Sequence, residues 1–271
     1  MKMNLSTRRE RSVAVTILCL FFLPAAIADA ATNVDIIKQA RSAYYSLQAR
    51  GFVEFQCSAA PNWETMLQEL RKTDPDAANR AIILLNQIHF EVSLGASGGA
   101  KVTHNTVTAT NDKQEQGLKQ VYGGMEQMVQ GFFETWTAFV RSTSLPAVDD
   151  NYQLQEREGQ WVLSYKEEAA DIVTIMEKDF AIRELKVNSP DFVSTIQPQF
   201  TRTSEGFLLA GYQADYHSKS TANDDTQLQV RITYQEANGL QLPKSLNLGG
   251  SYAGSPFAID VMFSDCKATR H

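Results

Sequence analysis

Between Lys113 and Arg141 the apolar side chains recur three and four positions apart, at Leu118, Val121, Tyr122, Met125, Met128, Val129, Phe132, Phe133, Trp136, Phe139 and Val140. That spacing predicts one long amphipathic helix with an unusually aromatic stripe, ended by Pro146 and Asp149-Asp150. Shorter helical patterns precede it. Val34, Ile37, Ala40, Tyr44 and Leu47 form one, closed by Gly51. Trp63, Met66, Leu67 and Leu70 form a second after Pro61-Asn62, and Ala77, Ala81, Ile82, Leu85 and Ile88 a third that opens at Asp74-Pro75. Phe52 to Cys57 alternates like a strand. His89 to Leu94 and Lys101 to Thr110 read as short strand-like or loop segments around a glycine-rich turn.

From Tyr152 onward the period becomes two. The alternating sets are Trp161/Leu163/Tyr165, Val173/Ile175, Phe180/Ile182, Leu208/Tyr212/Tyr216, Leu228/Val230/Ile232/Tyr234 and Phe257/Ile259/Val261/Phe263. Glu158-Gly159, Glu205-Gly206, Asn238-Gly239 and Gly249-Gly250 supply hairpin breaks. Evenly spaced strands with one apolar face make an antiparallel meander, and that face has to be covered. The expected fold is α+β: a strongly curved antiparallel β-meander, an open and unclosed barrel, packed around or against the long helix, with additional N-terminal helices. One domain covers residues 31–271, helix-rich over 31–146 and a meander over 151–266.

The first thirty residues read differently. Lys2, Arg8, Arg9 and Arg11 precede an apolar run from Val13 to Leu23, which is followed by Pro24 and the small-residue stretch Ala25 to Ala30. This is the layout of a cleavable signal peptide, with cleavage expected after Ala28 or Ala30. The run is shorter than the ~20 residues a membrane-spanning helix needs, so no stable membrane anchor is expected. Export to a periplasm or to the exterior follows. Removing residues 1–30 takes away four basic and two acidic side chains, which moves the formal charge from −6 to −8. Such a surface repels phosphate backbones, so nucleic acid is a poor partner.

Export also changes the cysteine count. Cys19 leaves with the signal, and Cys57 and Cys266 remain near the two ends of the mature chain in an oxidising compartment, where a disulfide is expected. Phe257, Ile259, Val261 and Phe263 alternate on one face and leave Cys266 out of phase. A bulge near Ser264-Asp265, or the end of the strand there, would correct it. The absence of C-x-x-C makes this a structural bond rather than a redox pair.

Candidate chemistry is sparse. Gly95-Ala96-Ser97-Gly98-Gly99 satisfies G-x-S-x-G, but the motif needs a helix after it and Ala100 to His104 is β-branched. His89, His104, His217 and His271 show no metal-ligand spacing, and no phosphate-cradling or dinucleotide glycine pattern occurs. No catalytic residue, metal or cofactor is expected. The stripe from Met125 to Trp136 has two readings: ordinary core, or one wall of an apolar cleft between helix and sheet.

The residues Tyr234-Gln235-Glu236-Ala237-Asn238-Gly239-Leu240-Gln241-Leu242-Pro243 end a strand in a polar turn, then a glycine, then an apolar-x-Leu-Pro step into the next strand. Glu177 to Ile182 forms a second hairpin whose turn leads into an aromatic. On these signals the stretch from about Tyr152 to Cys266 resembles the periplasmic lipoprotein-carrier superfamily, which includes the outer-membrane lipoprotein-sorting proteins of Gram-negative bacteria. Asn238-Gly239 supplies positive φ, and Pro243 removes a ladder donor where the sheet bends. The resemblance implies an unclosed, curved sheet covered by helices, an apolar cavity and no catalysis.

The leading expectation is therefore an exported non-enzymatic protein that holds a hydrophobic small molecule or a lipoprotein acyl chain. Its cleft would be lined by Met125, Met128, Phe132, Trp136, Trp161, Leu163, Tyr165, Val230 and Ile232. The alternative is an interaction or sensor module with no internal ligand and a protein partner. A hydrolase comes third.

Overall fold

A computed structural model describes residues 32–220 and 225–271. The expected signal peptide lies outside the described residues. The first helix, α1 (Asn33–Ser42), starts at a capping box in which the Thr32 hydroxyl accepts from the Asp35 backbone N–H and the Asp35 carboxylate accepts from the Thr32 backbone N–H. Then follow β1 (Phe52–Pro61), α2 (Trp63–Met66), α3 (Gln68–Thr73), α4 (Pro75–Leu85), β2 (Phe90–Gly95) and β3 (Lys101–His104). The long helix α5 spans Asp112–Val140, capped by the Asn111 side chain.

Nine strands complete the chain: β4 (Tyr152–Arg157), β5 (Gln160–Glu167), β6 (Ala170–Met176), β7 (Ile182–Asn188), β8 (Phe192–Thr203), β9 (Gly206–Ser218), β10 (Thr226–Ala237), β11 (Leu240–Tyr252) and β12 (Ser255–Arg270). They form one antiparallel meander, and β1, β2 and β3 extend it beyond β12. The single 12-stranded sheet runs β3-β2-β1-β12-β11-β10-β9-β8-β7-β6-β5-β4. Because β3 and β4 are its two edges, it is unclosed, as expected.

Bulges bend this sheet. Gln56 pairs with Lys267 and Ser58 with Ser264, so Cys57 faces two residues, Asp265 and Cys266. Asp265 has φ +51°. This is the irregularity that the phase of Cys266 demands, and Cys57 and Cys266 are disulfide-bonded there. A second bulge lies at the Leu-Pro step: Thr233 pairs with Ser245 but Tyr234 with Pro243, leaving Lys244 extra. The Asn238-Gly239 turn before it has φ of +51° and +74°, the positive values that its residues predict.

Four expectations need correction. The first helix stops at Ser42 rather than continuing to Leu47. Tyr45 N donates to Phe207 O and Phe207 N to Ala43 O, so the chain leaves helical geometry to hook onto the start of β9. Gly206, at φ +112°, allows the approach, because a Cβ there would sit 2.7 Å from the Ala43 carbonyl oxygen.

Gly249-Gly250 is not a hairpin break. It lies inside β11, where a Cβ on Gly250 would sit 1.9 Å from the Gln227 carbonyl oxygen, and Ala253-Gly254 makes the turn instead. Phe180 belongs to the turn before β7, at φ +71°. Finally, the second helical pattern, Trp63 to Leu70, is not one helix: it is interrupted at Leu67, which leaves helical geometry at φ −103° and ψ 16°, and so divides into α2 and α3.

The middle of α5 carries Gly123 and Gly124, both exposed, with nothing within 4 Å of where a Cβ would stand. Glycine costs about 1 kcal/mol relative to alanine in a helix interior. The double substitution Gly123→Ala/Gly124→Ala is expected to raise the unfolding midpoint by roughly 5 °C in a calorimetric scan. A lower midpoint would reveal a close contact that these glycines serve.

Candidate functional site

The buried stripe of α5 meets the sheet through aromatic rings. The Phe133 ring lies 5.4 Å from Phe55 of β1, 5.5 Å from Phe263 of β12 and 5.6 Å from Trp136 on its own helix. Farther along, Phe139 lies 6.0 Å from Phe200 of β8. Trp136 Nε1 donates to the Tyr234 hydroxyl at 2.9 Å, and that hydroxyl donates to the Leu209 carbonyl at 2.5 Å. The indole thus keeps a partner while fully buried, which removes the penalty of an unpaired N–H.

Of the nine expected lining residues, Met125, Phe132, Trp136, Leu163, Val230 and Ile232 are buried, none more than 6% exposed. Met128, Trp161 and Tyr165 are half-buried against the same core. Tyr165 donates its hydroxyl proton to the Ser144 carbonyl, and the Lys178 ammonium stands 4.2 Å over the Trp161 ring. None of the nine lines either of the two main clefts.

The larger of those clefts, about 650 Å³, opens between α1, a 3-10 turn at Gln48–Arg50 and the connection from α5 to β4. It carries Lys38, Arg41, Arg50, Glu205, Ser46 and Ser142 on its walls, with the buried Tyr44 beneath. Arg50 pairs with Glu205 at 2.6 Å. The second cleft, about 600 Å³, lies along β9, β10 and β11 and is polar, with Gln213, Asp215, Gln227 and Gln229 over Gly249. Sequence periodicity could not find the first cleft, because its residues come from three segments more than fifty positions apart with no shared motif.

Ser97 lies in a bend between β2 and β3, and the next helix begins only at Asp112. The strand–serine–helix order that a nucleophile elbow needs is not present around it. His104 stacks on Tyr122 at 3.9 Å, and His217 Nδ1 lies 2.9 Å from Asp225. Among the described residues no group of three His, Cys, Asp or Glu side chains is placed to hold a metal, and no helix is long and apolar enough to cross a membrane.

Burial holds the hydroxyls of Tyr44, Tyr165, Tyr212 and Tyr234 protonated well above the usual tyrosine range, since a phenolate there would lose its water. Because the folded-state values are raised, their contribution to stability is complete below the unfolded value near 10 and is lost as pH rises past it. The unfolding midpoint is therefore expected to vary little with these groups up to about pH 9 and to fall steeply above about pH 10. Thermal melts at alkaline pH, paired with an ultraviolet tyrosinate titration, check both halves. Early titration of all tyrosines with no loss of structure would contradict the burial.

No family model matches this chain, and neither a curated protein nor a solved structure matches it.

Proposed function

We propose that this chain is exported and acts as a non-enzymatic recognition protein that meets its ligand or partner at its surface. The sheet curves around α5, and the space between them is occupied by the protein's own side chains. The observation that carries this reading is the packing of the α5 stripe, where Met125, Val129, Phe132, Phe133 and Trp136 are each no more than 4% exposed. Export is supported by the Cys57–Cys266 disulfide, a bond typical of oxidising compartments, and by the tripartite pattern of residues 1–30.

Two surface features support recognition. The edge strand β4 leaves one row of backbone groups unpaired, a template on which a protein partner can add a strand. Its shortness and its exposed Glu156 and Arg157 guard it against self-pairing. The second feature is the larger cleft. Carriage of an acyl chain, by contrast, requires α5 to lift from the sheet, because the residues that would line the chain's path are already buried under the helix.

Native mass spectrometry of the secreted protein tests the reading. The expected species is the polypeptide beginning at Asp29 or Ala31, with one disulfide and no added mass, and with no saturable binding of a fluorescent fatty acid. A co-purified lipid would overturn the surface reading in favour of the carrier.

A further inference from the structure

We infer that the larger cleft is a binding site for a small organic anion bearing a carboxylate or phosphate group. The inference deepens the surface-recognition reading by naming a ligand class. Its walls hold three cations, Lys38, Arg41 and Arg50, against one carboxylate, Glu205, on a chain whose formal charge is −6. A local excess of positive charge on an acidic protein focuses anions into that concavity.

The cations are placed unequally. Arg41 is half-buried, and its Nη1 donates to the Leu145 and Pro146 carbonyls at 2.5 and 2.7 Å. Those bonds fix the guanidinium but do not neutralise it. Among the described residues no carboxylate lies within ion-pair distance of Arg41, and its Nη2 and Nε make no hydrogen bond. A charge drawn partly out of water without a counter-ion is unfavourable, and an anion in the cleft would relieve it.

Lys38 lies three residues earlier on α1, close in space on the helix surface. It too lacks an ion pair among the described residues. Arg50 is engaged with Glu205 and stands 5.0 Å over the Tyr45 ring, yet its buried Nε has no partner. Basic residues commonly complement a helix C-terminus, which accounts for Arg41 in the last turn of α1. That accounts for one of the three charges. The volume exceeds what a single oxyanion fills, and Tyr44, Ala49 and Val148 offer carbon surface for the body of the molecule.

The test uses the secreted, disulfide-bonded chain, with calorimetric titration of inorganic phosphate, citrate and glycerol phosphate and, separately, of phosphatidylglycerol vesicles. At least one soluble anion is expected to bind saturably and to weaken as salt is added. Lys38→Gln, which removes an exposed charge with no structural bond, is expected to weaken binding by about fivefold without moving the unfolding midpoint, the equivalent of about 1 kcal/mol. Arg41→Lys keeps the charge but loses the fork, and should weaken it further.

Binding of the vesicles alone, lost in Lys38→Gln, would support the site and assign the anion to a lipid headgroup. No saturable binding by any probe, or binding unchanged in both variants, overturns the inference. Lipid retained in the interior would sink the surface reading without deciding this one, so the two failures are distinguishable.

Discussion

Replacing Cys57 and Cys266 together with serine is expected to lower the unfolding midpoint by roughly 10–20 °C. The two residues are separated by 209 positions, so the bond closes nearly the whole described chain into a loop. On the chain-entropy model a loop of that length restricts the unfolded ensemble by about 5 kcal/mol. The same bond sits where β1, which precedes every other strand, pairs with β12, the last, so it holds together the one strand pairing that the meander cannot close locally.

Reductant added to the wild type should reproduce the shift, and calorimetry of the oxidised, reduced and double-serine forms checks it. A drop of only a few degrees would mean that the β1–β12 ladder holds its register unaided. The bulge would then bend the sheet without the bond adding to stability.

Phe133→Ala is expected to cost about 3–5 kcal/mol, the usual range for deleting a core aromatic that leaves a cavity. Its ring packs on Phe55 and Phe263 from adjacent strands and on Phe132 and Trp136 from its own helix, so no single neighbour can move to fill the space. Phe133→Leu, which keeps most of the volume, should cost about 1 kcal/mol.

Urea unfolding separates the two cases. A loss below about 1 kcal/mol for the alanine variant would show a helix lying loosely on the sheet, the arrangement a lipid carrier needs. The full loss supports an interior that serves only to hold α5 against the strands.

Local signals made much of the fold legible. The three-and-four spacing between Lys113 and Arg141 marks α5 to within a residue, and the dipeptides Glu158-Gly159 and Asn238-Gly239 mark turns whose φ values are positive at both positions. The misalignment of Cys266 with its strand mates calls for a bulge or a strand end near Ser264-Asp265, and β12 runs through that point with a bulge.

Other elements were hidden. β8, absent from the alternating sets, carries Pro198 near its centre. Pro198 lies beyond Ile196, the last residue of β8 paired to β7, so one side of the strand is free there and tolerates a residue with no N–H. Gly249-Gly250 looks like a turn, but at Gly250 the missing side chain serves the close approach of β10 to β11 instead. Pattern alone cannot tell a glycine needed for φ from one needed for proximity.

The candidate site shows the same division. Periodicity identified Met125, Phe132, Trp136, Leu163, Val230 and Ile232 as facing inward, since burial on one side of a helix or strand imprints a repeat on the chain. Whether that inward side would be hollow or filled had no such imprint, because packing depends on how side chains from distant strands interlock.

By itself the amino-acid order determined the long helix α5, the meander, the pairing of the two cysteines and the pattern expected of an exported chain, all of which arise from neighbouring residues or from composition. Only the tertiary structure decided that rings from β1, β8 and β12 meet those of α5, and that Lys38, Arg41 and Arg50 share one cleft. Those contacts join residues far apart in the chain, and no local repeat encodes the distance between them.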